Sequence, residues 1–441
     1  MTDAGGRSGA TTTVRRTIRV DHLARVEGHG MFRVALRGGR AVESAFRLFE
    51  APRFFEALLR GRAFGDAPDI TARICGICPV AYQMSACQAM EGALGVTLDD
   101  PLLELRRLLY CGEWIESHAL HVYLLHAPDF LGYEDAIALA KDHPDVVQRG
   151  LALKQAGNAI VAALGGREIH PINVKVGGFY RLPTTDALDA LRPALERACE
   201  IARDTVRLVA GFTFPELEQD YEFVALRHPH EYAMYEGRLV SSRGLDAAVH
   251  DFERHIEEHQ VPHSHAMQAR IVGRDAYLTG PLARVVLNGG QLHPLARAAM
   301  HEAGLDAACR NPFRSIIARS VEMVHACEEA LRILGAWRGA PRAAVPVVPR
   351  AGEGFGASEA PRGVLYHRYV LDDAGTIITA NIVPPTAQNQ RMIELDLCRL
   401  VERDPGLEQA ALTWRCEQLV RCYDPCISCA THFLRVEVER A

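Results

Sequence analysis

Two pairs of cysteines with the spacing Cys-x-x-Cys are the residues of this 441-residue chain best suited to chemistry. One pair is Cys75 and Cys78, and the other is Cys426 and Cys429. This spacing brings two sulfur atoms to the same side of a turn, so that both can bind one metal ion. Four such sulfurs are typical of zinc and iron–sulfur sites, because soft thiolate ligands suit these metals.

The separation of the two pairs along the chain bears on which kind of site they form. A zinc ribbon places its pairs ~15–20 residues apart, whereas nearly the whole chain lies between these two. The separation argues against a local zinc module, but zinc held between distant parts of a fold stays an open alternative. A thioredoxin-like redox site would place one pair in a βαβ unit, and the sequence has no such pattern.

The other eight of the 12 cysteines need no catalytic explanation. We predict that they are buried and act as small hydrophobic residues. They are Cys87, Cys111, Cys199, Cys309, Cys327, Cys398, Cys416 and Cys422.

A helix is predicted to position the first pair. Pro79 directly follows Cys78, and proline suits the first position of a helix. The free N–H groups and the dipole at that helix start are expected to favour thiolates over thiols. Arg73 is expected to add a fixed positive charge nearby.

The rest of the pattern is mainly helical. Apolar periodicity and capping signals predict helices over residues 53–62, 79–94, 100–126, 146–164, 185–210, 321–337, 388–402 and 407–422, with Asp100 as the N-cap of the third. Apolar patterns predict strands over 31–36 and 41–46, and a hairpin over 363–383 that turns at 372–375. Residues 338–362, rich in proline, glycine and alanine, are predicted to form a long loop. Together these elements predict a mainly α fold, of the α+β class, with small antiparallel sheets.

Composition narrows the classes of function. Hydrophobic residues make up 48% and charged residues 24% of the chain, as in globular proteins. A net charge of −6 leaves no basic surplus, so nucleic acid is not expected as a partner. No apolar run approaches the ~18 residues of a membrane helix, and the N-terminus lacks a signal-peptide pattern, so we expect a cytoplasmic protein without a membrane contact. We predict disorder over 1–14 and a single domain over 15–432.

Several motifs, in a fixed order, resemble those of a known family. The strings R-I-C-G-I-C at 73–78 and D-P-C-I-S-C-A-T-H at 424–432 resemble the two signature motifs of the nickel–iron hydrogenase large subunit. Segments at 25–29, 166–171, 360–363 and 383–386 resemble further segments of that family. The string C-P-V-A-Y-Q at 78–83 is most similar to the soluble, multisubunit NAD(P)-linked and sulfhydrogenase-type enzymes. The resemblance implies the large helical fold of the family.

The resemblance also implies a catalytic subunit that interconverts hydrogen with protons and electrons. All four cysteines would bind nickel, and Cys78 and Cys429 would bridge it to an iron that carries cyanide and carbon monoxide. Pro361, Arg362 and Thr386 would surround these diatomic ligands, because fixed donors suit anionic groups.

Proton transfer is assigned by the same resemblance. Cys426 or Arg362 would accept the proton when hydrogen splits, and Glu27 would pass protons to and from Cys426. A carboxyl beside a buried metal site can be tuned towards neutral pH, as proton transfer needs. Without the resemblance, the simpler interpretation of Glu27 is a surface ion pair with Arg25.

The resemblance also implies a second cation site, and the sequence differs from the family pattern at two positions. Glu56, the backbone carbonyl of Ile382 and His432 would bind magnesium or iron. Tyr82 stands where relatives often have histidine, and Ser117 stands where many have aspartate. A phenol can donate a hydrogen bond to a thiolate, but it cannot relay protons near neutral pH as imidazole does.

The histidines of the long predicted helix form a separate group. We interpret them as buried residues outside the primary ligand set; they are His118, His121 and His126.

Partner proteins are implied because the chain has no further cysteine cluster for an electron relay and no G-x-G-x-x-G nucleotide motif. The resemblance implies an iron–sulfur small subunit, flavin- and NAD(P)-binding electron-transfer subunits, nickel-insertion factors, and an endopeptidase that removes 433–441 after His432. Two alternatives stay open from the sequence. One is a non-catalytic electron-coupling subunit like that of complex I, and the other is a four-cysteine zinc protein.

Overall fold

The computed structural model describes residues 15–49 and 54–431. The predicted disordered segment 1–14, the candidate ligand His432 and the extension 433–441 lie outside the described residues. Helices form about half of the described chain and pack with small sheets, all antiparallel except for one short parallel pair. The predicted mainly α fold with small antiparallel sheets is confirmed.

The helices have the following bounds. They are α1 (Phe55–Leu59), α2 (Ala67–Thr71), α3 (Pro79–Leu94), α4 (Asp100–Ala119), α5 (Ala127–Leu131), α6 (Ala136–Asp142), α7 (Pro144–Gly165), α8 (Thr185–Asp189), α9 (Arg192–Ala210), α10 (Phe252–His255), α11 (Pro281–Asn288), α12 (Pro294–Glu302), α13 (Ser315–Ala336), α14 (Pro385–Arg403), α15 (Gln409–Cys422) and α16 (Ile427–Ala430). Within the described ranges, no helix combines the length and the apolar character needed to span a bilayer.

The strands form short sheets between these helices. They are β1 (Arg15–Val20), β2 (Gly30–Arg37), β3 (Arg40–Leu48), β4 (Val174–Lys175), β5 (Gly178–Phe179), β6 (Phe223–Arg227), β7 (Arg238–Ser241), β8 (Asp246–Ala247), β9 (Ile256–Gln260), β10 (Met267–Ile271), β11 (Leu278–Thr279), β12 (Gly352–Ala360), β13 (Gly363–Leu371) and β14 (Ile377–Val383). The sheet orders are β1-β2-β3, β4-β5, β11-β6-β7-β8, β10-β9 and β12-β13-β14. The strands predicted at 31–36 and 41–46 and the hairpin predicted over 363–383 are present.

Helix α4 is the centre of the helical part and packs against α7 and α13. Every side chain from Leu105 to Ala119 is buried, as expected of a helix surrounded on all sides. The predicted helix over 100–126 is therefore present, but its last part, Leu120–His126, is a wider π-helical turn. Its N-cap is Asp99 rather than Asp100, and no side-chain cap bond forms there.

The predicted helix over 185–210 is two helices. Helix α8 ends at Asp189 and α9 begins at Arg192. Pro193 explains the break, because proline lacks the N–H group that would continue the hydrogen bonds of α8, whereas it fits the first turn of a new helix.

The prediction of a loop over 338–362 is wrong for the second half of that range, which forms β12 and packs directly on α3. The glycines of β12 permit this close approach. A Cβ atom on Gly354 would lie 1.8 Å from the Ala89 carbonyl oxygen, and one on Gly356 would lie 2.2 Å from that of Ser85. Glycine in this strand therefore serves the contact between the two backbones and does not mark a loop.

A second, smaller hydrophobic cluster lies under β6, β7 and the β12–β14 sheet. In it, Phe252 stacks on Tyr366 with ring centroids 4.1 Å apart. The larger cluster contains the four Cys-x-x-Cys cysteines, so the candidate site lies inside the main core.

Candidate metal centre

The structure brings the two cysteine pairs together. The four sulfur atoms lie within 4.8 Å of one another, and all four residues are buried. The Cys75 and Cys426 sulfurs are 3.5 Å apart, those of Cys78 and Cys429 are 3.7 Å apart, and those of Cys426 and Cys429 are 2.6 Å apart. No other group of three or more His, Cys, Asp or Glu side chains in the described ranges forms a comparable cluster.

The first pair lies in the short turn between α2 and α3. The backbone N–H groups of Ile77 and Cys78 lie 3.3 and 3.4 Å from the Cys75 sulfur. Gly76, at the tip of the turn, is exposed. The buried sulfurs therefore lie one residue from the protein surface.

At the start of α3, the N–H group of the N-cap residue Cys78 points to the Cys75 sulfur, as predicted, but the N–H groups of the first turn do not. Those of Val80 and Ala81 donate to the two carboxylate oxygens of Glu113, at 2.6 and 3.0 Å. Arg73 likewise pairs with Asp69 at the surface. The support for Cys75 comes instead from the turn itself.

The second pair lies at the start of α16. The Cys426 N–H donates to Thr386 Oγ1 at 2.9 Å, and the Ile427 N–H donates to the Glu27 backbone carbonyl at 3.0 Å. Thr386 is the second residue of α14, after Pro385, so that this helix and the segment around Glu27 together hold the pair. The Thr386 hydroxyl keeps its own proton for donation to a ligand.

Glu27 lies directly against the cluster. Its Oε2 atom is 3.1 Å from the Cys426 sulfur and accepts the Ser428 N–H at 3.0 Å. The surface ion pair with Arg25 does not form, because Arg25 pairs with buried Asp129 at 2.6 Å. Glu27 is thus placed to exchange a proton with Cys426.

Arg362 is the arginine that faces the sulfurs. Its Nε donates to the Asp424 carbonyl at 2.7 Å and its Nη2 to Asp424 Oδ1 at 3.2 Å. Burial alone would lower the pKa of Arg362, but Asp424 and the neighbouring thiolates hold it well above its usual value. The buried Nη1 atom has no hydrogen-bond partner among the described residues. One fixed donor is therefore available to a group bound at the cluster.

The residue before Arg362 is held through its backbone. The Pro361 carbonyl accepts from Arg284 Nη2 at 3.1 Å and from Arg319 Nη1 at 3.4 Å. Arg319 Nη2 also donates to the Cys422 carbonyl at 3.2 Å. Arg319 thus joins the segments that carry Arg362 and the second cysteine pair.

The chemistry of the donors tests whether a metal fits. The other three cysteine sulfurs hold the pKa of Cys75 well below that of an ordinary thiol. Burial and the adjacent sulfurs raise the pKa of Cys426 well above it. Four buried thiolates this close need cations to balance their charge. The soft donor set fits nickel, iron or zinc.

Of the two departures from the family pattern, Tyr82 lies beside the cluster and Ser117 is buried in α4. Burial and the Cys429 thiolate raise the pKa of Tyr82 well above its usual value. The Tyr82 ring lies 5.7 Å, between centroids, from that of His367, whose Nδ1 is 2.9 Å from the Tyr369 hydroxyl. Ser117 Oγ is buried without a hydrogen-bond partner among the described residues.

The candidate second cation site is described only in part. The Glu56 carboxylate accepts the Ile382 N–H at 2.8 Å, so these two predicted ligand residues are adjacent. The third, His432, lies outside the described residues.

The three histidines at the end of α4 and in the π-helical turn are buried, as predicted. His118 Nε2 lies 2.9 Å from Glu322, and burial lowers the pKa of His118 to about 4. His121 Nε2 lies 2.8 Å from the Arg421 carbonyl. The Nδ1 atom of each of the three histidines has no hydrogen-bond partner among the described residues. Of the eight other cysteines, seven are buried and Cys398 is half-buried.

Sequence reasoning missed three residues that hold the site. Asp424 lies two residues before Cys426 and had a signal, because it belongs to the D-P-C motif. Arg319 and Glu113 had none, since they lie on α13 and α4, far from the motifs along the chain.

Known proteins resemble this chain over nearly its whole length. A family model described as nickel-dependent hydrogenase matches residues 53–149. The sulfhydrogenase 2 subunit alpha of Pyrococcus furiosus is 35% identical over 422 residues, which cover 95% of this chain and 100% of that protein. The sulfhydrogenase 1 subunit alpha of the same organism is 33% identical and covers 95% and 98%.

A solved structure agrees with these sequence matches. The structure of an NAD⁺-reducing [NiFe]-hydrogenase in the H2-reduced state superposes with a TM-score of 0.85 at 26% identity, covering 95% of this chain and 100% of that one. Sequence, fold and the four converging cysteines thus agree, and they favour a hydrogenase over the zinc-protein and complex I-like alternatives. This chain belongs to the nickel-dependent hydrogenase family, as a large subunit that is catalytic.

Proposed function

We propose that the four-cysteine cluster is the site where this subunit splits and forms hydrogen. The observation that carries the proposal is the buried cluster of four sulfurs within 4.8 Å, with a carboxylate oxygen 3.1 Å from one of them. Cys75, Cys78, Cys426 and Cys429 would hold nickel, and Cys78 and Cys429 would share an iron with cyanide and carbon monoxide ligands. When bound, these metals supply the Lewis-acid and redox chemistry that activates hydrogen.

The protein handles the proton at Cys426. Its sulfur accepts the proton, and Glu27 Oε2, 3.1 Å away, carries it onward. The Ser428 N–H holds that oxygen in place. Arg362 is the weaker candidate base, because Asp424 and the thiolates keep its guanidinium protonated.

Arg362 and Thr386 instead orient the diatomic ligands. The Arg362 Nη1 donor has no partner among the described residues, and the Thr386 hydroxyl accepts from Cys426 while its own proton stays available. Pro361 lines the same region next to Arg362. Such fixed donors favour anionic ligands such as cyanide.

The second cation site would support the cluster from the side of β14. Glu56, the Ile382 carbonyl and His432 would bind magnesium or iron there. The adjacency of Glu56 and Ile382 supports this assignment.

Electrons leave through the surface next to the first cysteine pair. Exposed Gly76 lies against Ile169, and Ile172 and Tyr180 are also more than half exposed. We name the surface formed by Gly76, Ile169, Ile172 and Tyr180 the exit face. Large exposed apolar residues beside a redox site mark a partner interface, and an iron–sulfur small subunit is the partner that the exit face would bind.

The names of the relatives support a proposal for the wider assembly. The two Pyrococcus furiosus proteins are alpha subunits, and a further relative, from Cupriavidus necator, is the beta subunit of an NAD-reducing hydrogenase. We propose that flavin- and NAD(P)-binding subunits pass the electrons on in the cytoplasm. Nickel-insertion factors and an endopeptidase acting after His432 would mature the subunit.

Metal analysis and infrared spectroscopy of the purified enzyme test the proposal. We expect nickel and at least as much iron in the isolated large subunit, as a shared thiolate site requires, together with infrared bands of carbon monoxide and cyanide. Zinc alone, or a protein without metal, would refute the hydrogenase assignment of this site.

A further inference from the structure

At the start of α3, the backbone N–H groups that lack a partner within the helix donate to side-chain atoms. Cys78, the N-cap residue, directs its N–H to the Cys75 sulfur, and Pro79 has none. The next two, from Val80 and Ala81, donate to the two oxygens of Glu113 at 2.6 and 3.0 Å. A side chain from a different helix therefore satisfies the free donors of α3, directly after the first cysteine pair.

Among the described residues, these two N–H groups are the hydrogen-bond donors to the Glu113 side chain. Glu113 lies on α4, is 1% exposed, and meets α3 at the end that carries the metal ligands. An ionised carboxylate only accepts hydrogen bonds, which matches two N–H donors. Burial and the nearby Glu116 raise the pKa of Glu113 well above its usual range. The two short N–H contacts, one to each oxygen, work in the opposite direction and stabilise the ionised form.

We propose that Glu113 is a positioning residue for Cys75 and Cys78, which as a carboxylate fixes the first turn of α3 and offsets the positive end of that helix. The part of this inference that concerns bound metals rests on the proposed function. Without the carboxylate, the dipole of α3 would draw electron density away from the two thiolates. Cys78, the one of the two that is shared with iron, would then be a weaker donor to that iron, whose carbon monoxide would stretch at a higher frequency.

The test compares three variants of the full-length chain. E113Q keeps the shape of the side chain but loses the charge, and its amide NH2 group opposes one of the two N–H donors. E113D keeps the charge on a shorter side chain. E394Q is the matched control, because Glu394 is also buried and also accepts a backbone N–H, that of Phe46 on β3.

Two readouts are measured. In the metal-free chain, hydrogen–deuterium exchange at the amides of Val80 and Ala81 should be faster in E113Q than in wild type or E394Q. In the matured enzyme, the carbon monoxide band should move to higher frequency in E113Q and stay in place in E113D and E394Q. If Glu113 acted only as a structural cap of α3, the frequency of the carbon monoxide band would not depend on the charge at residue 113.

Each outcome decides the proposal. Unchanged exchange in E113Q overturns it, and this holds even if that variant takes up no metal. An unmoved band in metal-loaded E113Q, or an equal shift in E394Q, also overturns it. If wild-type enzyme lacks the carbon monoxide and cyanide bands, the proposed function fails, and the exchange experiment still tests the role of Glu113 in holding α3.

Discussion

The Cys426 sulfur has neighbours of two kinds. It lies 2.6 Å from the Cys429 sulfur and 3.5 Å from that of Cys75, and on another side Glu27 Oε2 is 3.1 Å away. A single atom can therefore bind metal and exchange a proton. At the scale of single residues, these two roles can be separated by substitution.

The metal role is tested by replacing each cluster cysteine with serine. We expect each variant to lose most of its nickel and its hydrogenase activity, because a hydroxyl is a harder and far less acidic ligand. The loss should exceed the ~10–100-fold loss of metal affinity or activity that follows replacement of a residue hydrogen-bonded to a metal ligand. Cys87→Ala is the control, since Cys87 is buried in α3 but lies outside the cluster. Full nickel content in a serine variant would remove that residue from the ligand set.

The proton role is tested by Glu27→Gln. Glutamine keeps an oxygen for the Ser428 N–H but cannot carry a proton, so isotope exchange between D2 and water should fall by ~10²–10⁴-fold. Metal content should stay unchanged. Glu43→Gln, at a half-exposed carboxylate on β3, is the control. Exchange at the wild-type rate in the Glu27 variant would place the proton route elsewhere.

Spacing and motif order predicted the residues that meet at the cluster, because ligand chemistry restricts residue types there. They could not predict that Arg25 pairs with Asp129, or that Arg319 joins two loops. Those partners come from helices distant along the chain, and arginines without a motif look alike in a sequence.

At the scale of elements, β12 packs against α3, the helix that begins directly after the first cysteine pair. Gly354→Ala should destabilise the protein by about 1–3 kcal/mol or more, because its Cβ atom would overlap the Ala89 carbonyl oxygen at 1.8 Å. Gly335→Ala, in α13 with nothing within 4 Å of the added atom, should be neutral or stabilising by up to ~1 kcal/mol. Denaturant unfolding of the two variants measures the difference. Equal stabilities would contradict the close-contact role of Gly354.

The elements themselves were predictable where local signals and tertiary packing agree. Helix α3 begins and ends at the predicted residues, Pro79 and Leu94. Strand β12 was missed because glycine weakens a strand by its own propensity. Only the neighbouring helix explains why glycine is needed there, and a single sequence does not contain that neighbour.

At the scale of the whole molecule, the exit face should decide whether electrons leave. Ile172→Asp should weaken binding of the iron–sulfur subunit by at least ~2 kcal/mol if Ile172 is an interface hot spot. Hydrogen oxidation with external acceptors should fall, while D2–water exchange, which needs no electron export, should persist. Ile137→Asp, at another exposed isoleucine, is the control. Unchanged co-purification of the small subunit with the Ile172 variant would move the interface elsewhere.

The extension after His432 should be absent from active enzyme. Cys429 and Thr431 are buried, and the residues that follow include Arg435, Glu437 and Glu439. Burying such charges without partners is costly, so we predict cleavage between His432 and Phe433 once nickel is in place. Intact mass spectrometry of nickel-loaded, active protein checks this, and a full-length mass would contradict it.

The contact between the two cysteine pairs has a thermodynamic consequence. The Cys75 and Cys426 sulfurs, 3.5 Å apart, belong to residues separated by 351 positions. Metals bound to both pairs act as a cross-link that closes this long loop in the unfolded chain. The loop-closure estimate for a cross-link of that span is on the order of 6 kcal/mol of lost conformational freedom. Chelating the metals should therefore lower the melting temperature of the whole subunit, including helices that contact no ligand.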